Sequence, residues 1–459
     1  MSLDFSINYK INTQSIPDSF LAFSSLEDLY TKGYNSKIDK ILDILKQVFS
    51  LKLPRSSGIS TDKMDEDIKL VSKIYKRGIP LKVQDTVYHP YEEYEGKTFS
   101  SNVIFRSFKE IESLVYSGDY FSIIDRNVPG FNNSGFNGIR VDISESKKDL
   151  KYLKKYLALI DDSLNKDNSI LKKTWLLIGG GVLSDTFGFI SYLYGTSFVI
   201  VPTSLCSMVD ACLGGKTGIN FSPYGKNQVG RFYFPESIMV SSKFIQTLSK
   251  NDIQSGYTEA LKVALLEHDI TLMDEIIDLY NKGYTDNSKL DSLIQRCLLI
   301  KKKFVEQDPI ENKTRRALNL GHSIAHLLEQ IIQSSRGYLS HGIAVGVGIL
   351  VSLEVSRLLL YLSEEKYNYI IDKLIRSNLI VSFSKLSNFI KSDNIKVLEN
   401  IFDSTAIKEL LLQDKKNTTK DLSQNTINFV CLTDEGYKIE HIGIDTVIEG
   451  WKYYQNLRF

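Results

Sequence analysis

The stretch "TWLLIGGGVLSD", residues 174–185, sets the fold class. Trp175 to Ile178 form a short apolar run, and three glycines follow at once, Gly179, Gly180 and Gly181. A run of this length bounded by glycine reads as a buried strand entering a tight turn, with a helix starting near Ser184. Moving outward, "SKKDLKYLKKYLALIDDSL" (146–164) places Leu150, Leu153, Tyr156, Leu157 and Ile160 on one helical face. Before it, "YFSIIDRNV" (120–128) reads as a strand ending at Asp125, and after the glycines "TSFVIVPTSL" (196–205) reads as another. Apolar strands alternating with helices predict a parallel sheet covered on both faces.

The glycines also have a chemical reading. After a strand they let backbone N–H groups approach a phosphate, and the helix N-terminus favours its negative charge. The stretch is not the G-x-G-x-x-G dinucleotide fingerprint, and a tight turn without a ligand fits three glycines equally well. Further on, "VPTSLCSMVDACLGGKTGINFSPYGKNQVG" (201–230) adds the pair Gly214 and Gly215, then Lys216, Lys226 and Asn227. Two glycine turns with lysines beside them predict a nucleotide and a second anion bound close together.

Beyond about residue 245 the pattern is helical. The segments 257–280, 289–307 and 316–333 all carry 3.6-residue apolar spacing. Within "YTEALK", Glu259 and Lys262 lie one turn apart. An isolated pair of this kind is usually solvated, but the apolar "ALKVALL" around it predicts burial, where a carboxylate needs a cation or a metal. In "RRALNLGHSIAHLLE" (315–329), His322 and His326 share a face, and Arg315, Asn319, His322 and His326 follow near-helical steps along one stripe. That stripe reads as a polar wall, and H-x-x-x-H suits two ligands of one zinc ion as well as it suits one core and one surface histidine. His341 follows in "YLSHGIAVGVGILV", so three of the six histidines fall within twenty residues. "TINFVCLTDEGYKIEHIGI" (426–444) reads as two strands around a turn, and "DTVIEGWKYYQNL" as a closing helix.

The totals bound the rest. A chain of 459 residues exceeds one compact core. The expected division is an extension over 1–100, an α/β domain over 101–245 and a helical domain over 246–459. In the extension, "SKIDKILDILKQVF" reads as an amphipathic helix and "LPRSSGISTDKMDED" as a polar linker. The net charge of +1 gives no footprint for nucleic acid or an anionic membrane. Cys206, Cys212, Cys297 and Cys431 form no C-x-x-C pair and sit in apolar contexts, as expected of reduced thiols. The start "MSLDFSINYKINTQ" lacks the order of a signal peptide, and "GIAVGVGILVSL" is too short to span a bilayer. A cytoplasmic location is expected.

The motifs "GGGVLSD", "VPTSLCSMVDACLGGKTGIN", "GKNQVG", "EALK", "KFVEQDPIE", "RRALNLGHSIAH" and "LSHGIAVGVG", in this order, closely resemble 3-dehydroquinate synthase over residues 100 to 435. The resemblance implies an N-terminal α/β domain binding NAD and a mostly helical C-terminal domain. It implies conversion of the sugar acid phosphate DAHP to 3-dehydroquinate and phosphate, through transient NAD-dependent oxidation, phosphate elimination, reduction and intramolecular aldol closure. It further implies Glu259, His322 and His341 as ligands of a divalent metal, zinc or cobalt, with His326 as the catalytic histidine. Lys216, Lys262, Asp210, Asn319, Arg315 and Lys301 match substrate positions, as does either Lys415 or Lys416 of "LLQDKKN", with Lys415 preferred. Asp125, Glu145, Lys148, Gly180, Gly181, Asp185, Thr203, Ser204, Lys226 and Asn227 match NAD positions. A homodimer is implied too.

Three departures stand out. Tyr194 occupies the position of a family arginine that reaches phosphate in a neighbouring subunit, and a phenol does not supply that charge. Arg231 stands where a small residue is usual, either replacing the lost charge or packing its stem on the surface. The first hundred residues lack a counterpart. These leave room for a related cyclase acting on amino-DAHP or sedoheptulose 7-phosphate, or for a non-catalytic homologue. The retained Gly214, Gly215, Lys216, Asn319 and His326 favour a substrate carrying a carboxylate, and the complete metal and lysine sets speak against loss of catalysis. Metal-dependent polyol dehydrogenases share the general fold, but they release NADH at every turnover.

Overall fold

The structure, a computed structural model, describes residues 6–12, 98–132, 134–221, 225–283, 287–309, 311, 313–334, 337–390, 407–408, 411 and 425–457. The expected helix over 36–49 and linker over 53–67 lie outside them, as does Lys415. The chain divides into two compact units. The first comprises 1–203 and 211–247, the second 204–210 and 248–459.

The first unit is built on a seven-stranded sheet. Its strands are β1 (Ser6–Asn12), β2 (Thr98–Phe105), β3 (Tyr120–Asp125), β4 (Gly138–Val141), β5 (Thr174–Gly179), β6 (Phe198–Pro202) and, after a separate hairpin, β9 (Ser237–Val240). Their order is β1-β2-β9-β6-β5-β3-β4, with β1 antiparallel to β2 and every other pair parallel. β1 carries residues 6–12 of the expected extension into the sheet, in register from Ser6 opposite Ile104 to Asn12 opposite Thr98.

Trp175 to Gly179 of β5 and all of β6 are buried, as runs flanked by neighbours on both faces require. The helices of this unit are α1 (Phe108–Tyr116), α2 (Leu150–Leu164) and α3 (Gly181–Tyr194). α3 starts three residues before the expected Ser184. Gly180 takes an extended conformation and acts as N-cap, and its carbonyl accepts from the Leu183 and Ser184 amides. The chain leaves β3 toward β4 on one side and leaves β5 toward β6 on the other. β3 and β5 therefore bracket the point where strand order reverses, where open α/β sheets bind ligands at their carboxyl ends.

Residues 211–232 hold more than the expected glycine turn. They form the hairpin β7 (Lys216–Phe221) and β8 (Gly225–Phe232), entered through Gly214 and Gly215 at φ 120° and 66°. A Cβ on Gly215 would meet the Phe234 ring at 2.5 Å, so glycine is required there twice over.

The second unit is helical, with α4 (Lys250–Leu266), α5 (Ile270–Asn281), α6 (Asn287–Gln307), α7 (His322–Ser334), α8 (His341–Leu358), α9 (Glu364–Arg376), the hairpin β10 (Thr426–Thr433) and β11 (Gly436–Gly443), and α10 (Ile444–Asn456). α8 has the length and apolarity of a membrane span, yet 83% of it is buried, which makes it the core helix of this unit. Its glycines admit close neighbours. A Cβ on Gly342 would lie 2.2 Å from Ser255 Cα of α4, and one on Gly348 would lie 1.9 Å from the Gly321 carbonyl.

That second contact corrects the single stripe expected over Arg315–His326. Thr314–Asn319 is a 3-10 turn, and the chain breaks at Leu320 and Gly321 (φ 77°) before α7 begins at His322. Arg315 turns inward, 1% exposed, and its guanidinium donates to the Pro309 carbonyl. Asn319 donates to Glu311 Oε1 at 2.6 Å.

Candidate functional site

In the first unit the expected cofactor residues gather at the carboxyl ends of the strands. Asp125 ends β3, Gly180 and Gly181 follow β5, and Thr203 follows β6 with its amide donating to the Gly179 carbonyl at 3.0 Å. The Asp125 carboxylate accepts from the Asn127 amide at 2.9 Å, and burial raises its pKa above the ordinary aspartate value.

Glu145 and Lys148 sit at a 3-10 turn just before α2. Lys148 Nζ donates to Asp185 of α3 and, at 2.7 Å, to Asn227 Oδ1. Burial raises the Asp185 carboxyl, opposed by the Lys148 charge. Asn220 of β7 ties these groups together. Its side chain donates to Glu145 Oε1 at 2.9 Å and accepts from the Asn227 amide at 2.9 Å, while its own amide donates to the Lys148 carbonyl at 2.7 Å. Lys226 Nζ stands 3.7 Å from Glu145 Oε1. Asn227 takes φ 51°, a left-handed conformation that asparagine tolerates better than most residues. Lys216 opens β7 and is exposed.

Asn220 is a residue that sequence reasoning missed. It closes the quoted "GGKTGIN", but its role needs the hairpin, which polar, glycine-rich strands conceal.

The second unit holds a buried ionic cluster. Lys262 Nζ lies 2.6 Å from Glu259 Oε2, and both side chains are 1% exposed, so the pair is not solvated. Asp210 joins it, with Oδ2 3.6 Å from Lys262 Nζ and Oδ1 2.6 Å from Lys301 Nζ. Burial alone would raise the Glu259 and Asp210 carboxyls, but the lysines outweigh it and hold both below the ordinary range. Burial pushes Lys262 down, and the two carboxylates more than reverse it. For Lys301 burial prevails, so its ammonium gives up its proton more readily than an ordinary lysine. Ser204 of the same unit accepts from the Ser207 amide at 3.3 Å.

Two imidazoles face Glu259. His322 Nε2 stands 3.8 Å and His341 Nε2 3.3 Å from Glu259 Oε1, and the three ligand atoms lie within 4.8 Å of one another. His322 Nδ1 is 3.1 Å from the Leu320 carbonyl, and His341 Nδ1 is 3.1 Å from Glu329 Oε1. Both partners are acceptors, so each Nδ1 carries a hydrogen and each Nε2 is the nitrogen left to face Glu259, offering a lone pair once its ring is neutral. Neither Glu259 oxygen completes a hydrogen bond of normal geometry, although Lys262 is close. One buried carboxylate and two imidazole Nε2 atoms converging on it fit a divalent metal of the zinc or cobalt type, which would bind both rings in their neutral form. In the metal-free state burial disfavours a charged His341, but Glu329 and Glu259 outweigh it and lift its pKa to about 10. His326 lies beside this set, its ring centroid 5.6 Å from that of His322 and 6.4 Å from that of His341.

Glu329 was also missed. Its signal was spacing, since it lies three residues after His326 and seven after His322 on the same helix.

The departing Tyr194 turns inward. Its ring packs on Trp175 at 5.6 Å, and its hydroxyl donates to Asp161 Oδ1 at 2.8 Å.

Comparison with known proteins bears on the family and the fold. A family model described as 3-dehydroquinate synthase N-terminal matches residues 139–255, and one described as 3-dehydroquinate synthase C-terminal matches 256–417. The 3-dehydroquinate synthase of Clostridium tetani is 30% identical over 359 residues, 76% of this chain and 84% of its own. That of Campylobacter curvus is 31% identical over 336 residues, 70% of this chain and 88% of its own. Among solved structures, 2-deoxy-scyllo-inosose synthase complexed with carbaglucose-6-phosphate, NAD+ and Co2+ superposes with a TM-score of 0.61 at 18% identity, over 77% of this chain and 97% of that one. The 2-epi-5-epi-valiolone synthase of Streptomyces hygroscopicus, with NAD+ and Zn2+ bound, gives 0.59 at 20% identity, over 78% and 97%. At these identities the structural likeness speaks for the fold.

Proposed function

The chain belongs to the 3-dehydroquinate synthase family, and we propose from that premise how its residues convert DAHP to 3-dehydroquinate and phosphate. The observation that carries the reading is Glu259, a buried carboxylate without a complete hydrogen bond, faced by the Nε2 atoms of two imidazoles. In this reading Glu259, His322 and His341 hold zinc or cobalt, which when bound supplies a Lewis acid, and NAD supplies a temporary hydride acceptor. The cofactor belongs to residues 101–245, at Asp125, Gly180, Gly181, Thr203 and Ser204 and at the Glu145, Lys148, Asp185, Lys226 and Asn227 network. The metal belongs to residues 246–459.

The chain's own groups then divide the work. Asp210 bridges Lys262 and Lys301, which keeps two ammonium groups side by side despite burial. Such a pair, with Arg315 and Asn319, provides the charge and donors for a substrate bearing carboxylate and phosphate, and Lys216 of the first unit is a further substrate residue by family resemblance. His326 is less buried than His322 and carries protons between substrate and solvent. Lys415 completes the substrate set. The enzyme works in the cytoplasm as a homodimer.

The test incubates metal-loaded protein with DAHP and a catalytic amount of NAD. Phosphate and 3-dehydroquinate should appear one to one without accumulating NADH. No turnover of DAHP, or NADH rising in step with product, would sink the reading.

A further inference from the structure

We infer that Glu329 is a positioning residue that aims His341 at the metal. This rests on the proposed reading of Glu259, His322 and His341 as ligands. The two imidazoles are fixed by different means. His322 Nδ1 faces a backbone acceptor, the Leu320 carbonyl, set by the turn at Gly321. No side-chain substitution removes that acceptor. His341 is the first residue of α8, and its N-cap Ser340 makes no side-chain cap. Its side chain is 38% exposed, so packing alone leaves the ring room to turn. Its Nδ1 faces Glu329 Oε1 at 3.1 Å, and Glu329 is itself only 6% exposed.

A carboxylate only accepts, so it requires the hydrogen on Nδ1 and directs Nε2, the nitrogen that a metal would take in the neutral ring, toward Glu259. Glu329 lies seven residues after His322, two helical turns along the same face of α7. One helix therefore carries one ligand and the group that holds the other, and the two rings meet at 5.2 Å. The second carboxylate also strengthens the imidazole as a donor toward a dication.

Zinc affinity of the full chain, measured by competition with a chromophoric chelator, tests this, together with the visible spectrum of the cobalt-loaded protein. Glu329→Leu should weaken zinc binding by about 10–100-fold and shift the cobalt bands, the usual range for loss of such a partner. Glu329→Gln, which keeps an acceptor but loses the charge, should weaken it by more than threefold and by less than the leucine variant. A folded Glu329→Leu protein that binds zinc within threefold of the parent overturns the inference. If that variant does not fold, Glu329→Gln decides by the same limit. His341→Ala separates the two readings. If it loses zinc while the Glu329 variants do not, only the positioning role fails. If it too binds zinc like the parent, the ligand set itself is wrong and the inference falls with it.

Discussion

Replacing Lys262 by methionine tests the logic of the buried cluster. The side chain is 1% exposed, with Nζ 2.6 Å from Glu259 and 3.6 Å from Asp210. Methionine preserves length and apolar packing while deleting the charge. Asp210 keeps Lys301 at 2.6 Å, so Glu259 is the group that loses its nearest charge, with His341 still 3.3 Å away. Breaking a buried pair by removing one partner costs about 3–5 kcal/mol, and the surviving Lys301 pair puts this case near the lower end, about 3 kcal/mol. For a unit of this size that corresponds to a melting temperature lower by roughly 6–12 °C.

The loss should be full in chelator and smaller with saturating zinc, because a bound dication replaces the missing charge beside Glu259. Its pH dependence follows from the sign of the shift. In the parent, Glu259 titrates below its unfolded value, so its contribution is present above that value and disappears as acid protonates the folded form. In the variant the carboxyl has lost the largest of the charges that lower it and titrates higher than in the parent, so the gap between the two proteins narrows as acid protonates it. Calorimetry with chelator and with zinc measures this directly. A metal-free variant melting within about 2 °C of the parent, or an equal loss in both states, refutes the account.

Three further outcomes follow from the same geometry. Tyr194→Phe should lower stability by about 1–2 kcal/mol in urea unfolding through loss of the Asp161 bond, and leave the KM for DAHP within twofold. A KM change above fivefold would make Tyr194 a substrate group. Zinc binding at pH 8 should release about one proton, because His341 titrates at about 10 in the metal-free protein and must lose its proton to ligate. Titration calorimetry in two buffers of different ionisation enthalpy measures the release, and identical heats would contradict it. Replacing residues 13–97 with a short turn should leave the first unit folded, since Asn12 and Thr98 already form the last rung of the β1–β2 ladder. Unchanged far-ultraviolet dichroism and NAD affinity are expected, and loss of either would give the deleted segment a structural role.

Legibility in the sequence followed the range of the forces involved. β3, β5 and β6 were readable because burial on both faces demands continuous apolar runs, and the burial of Glu259 and Lys262 was readable from their apolar flanks. β1 was not, since "SINYKIN" finds its partner only at residue 98 and beyond. The break before α7 was hidden for a related reason. Local spacing favours one helix from Arg315 to His326, but Gly348 brings the α8 backbone against Gly321, and that contact decides the geometry from more than twenty residues away. The break also has a chemical consequence. It turns Arg315 inward and makes His322 the first residue of its helix, with the Leu320 carbonyl beside its Nδ1. A continuous helix would occupy that carbonyl with a backbone amide. The glycine pair that looks like a packing detail thus supplies the acceptor that leaves the His322 Nε2 lone pair facing Glu259. His341 receives the equivalent hold from Glu329 instead of from the backbone.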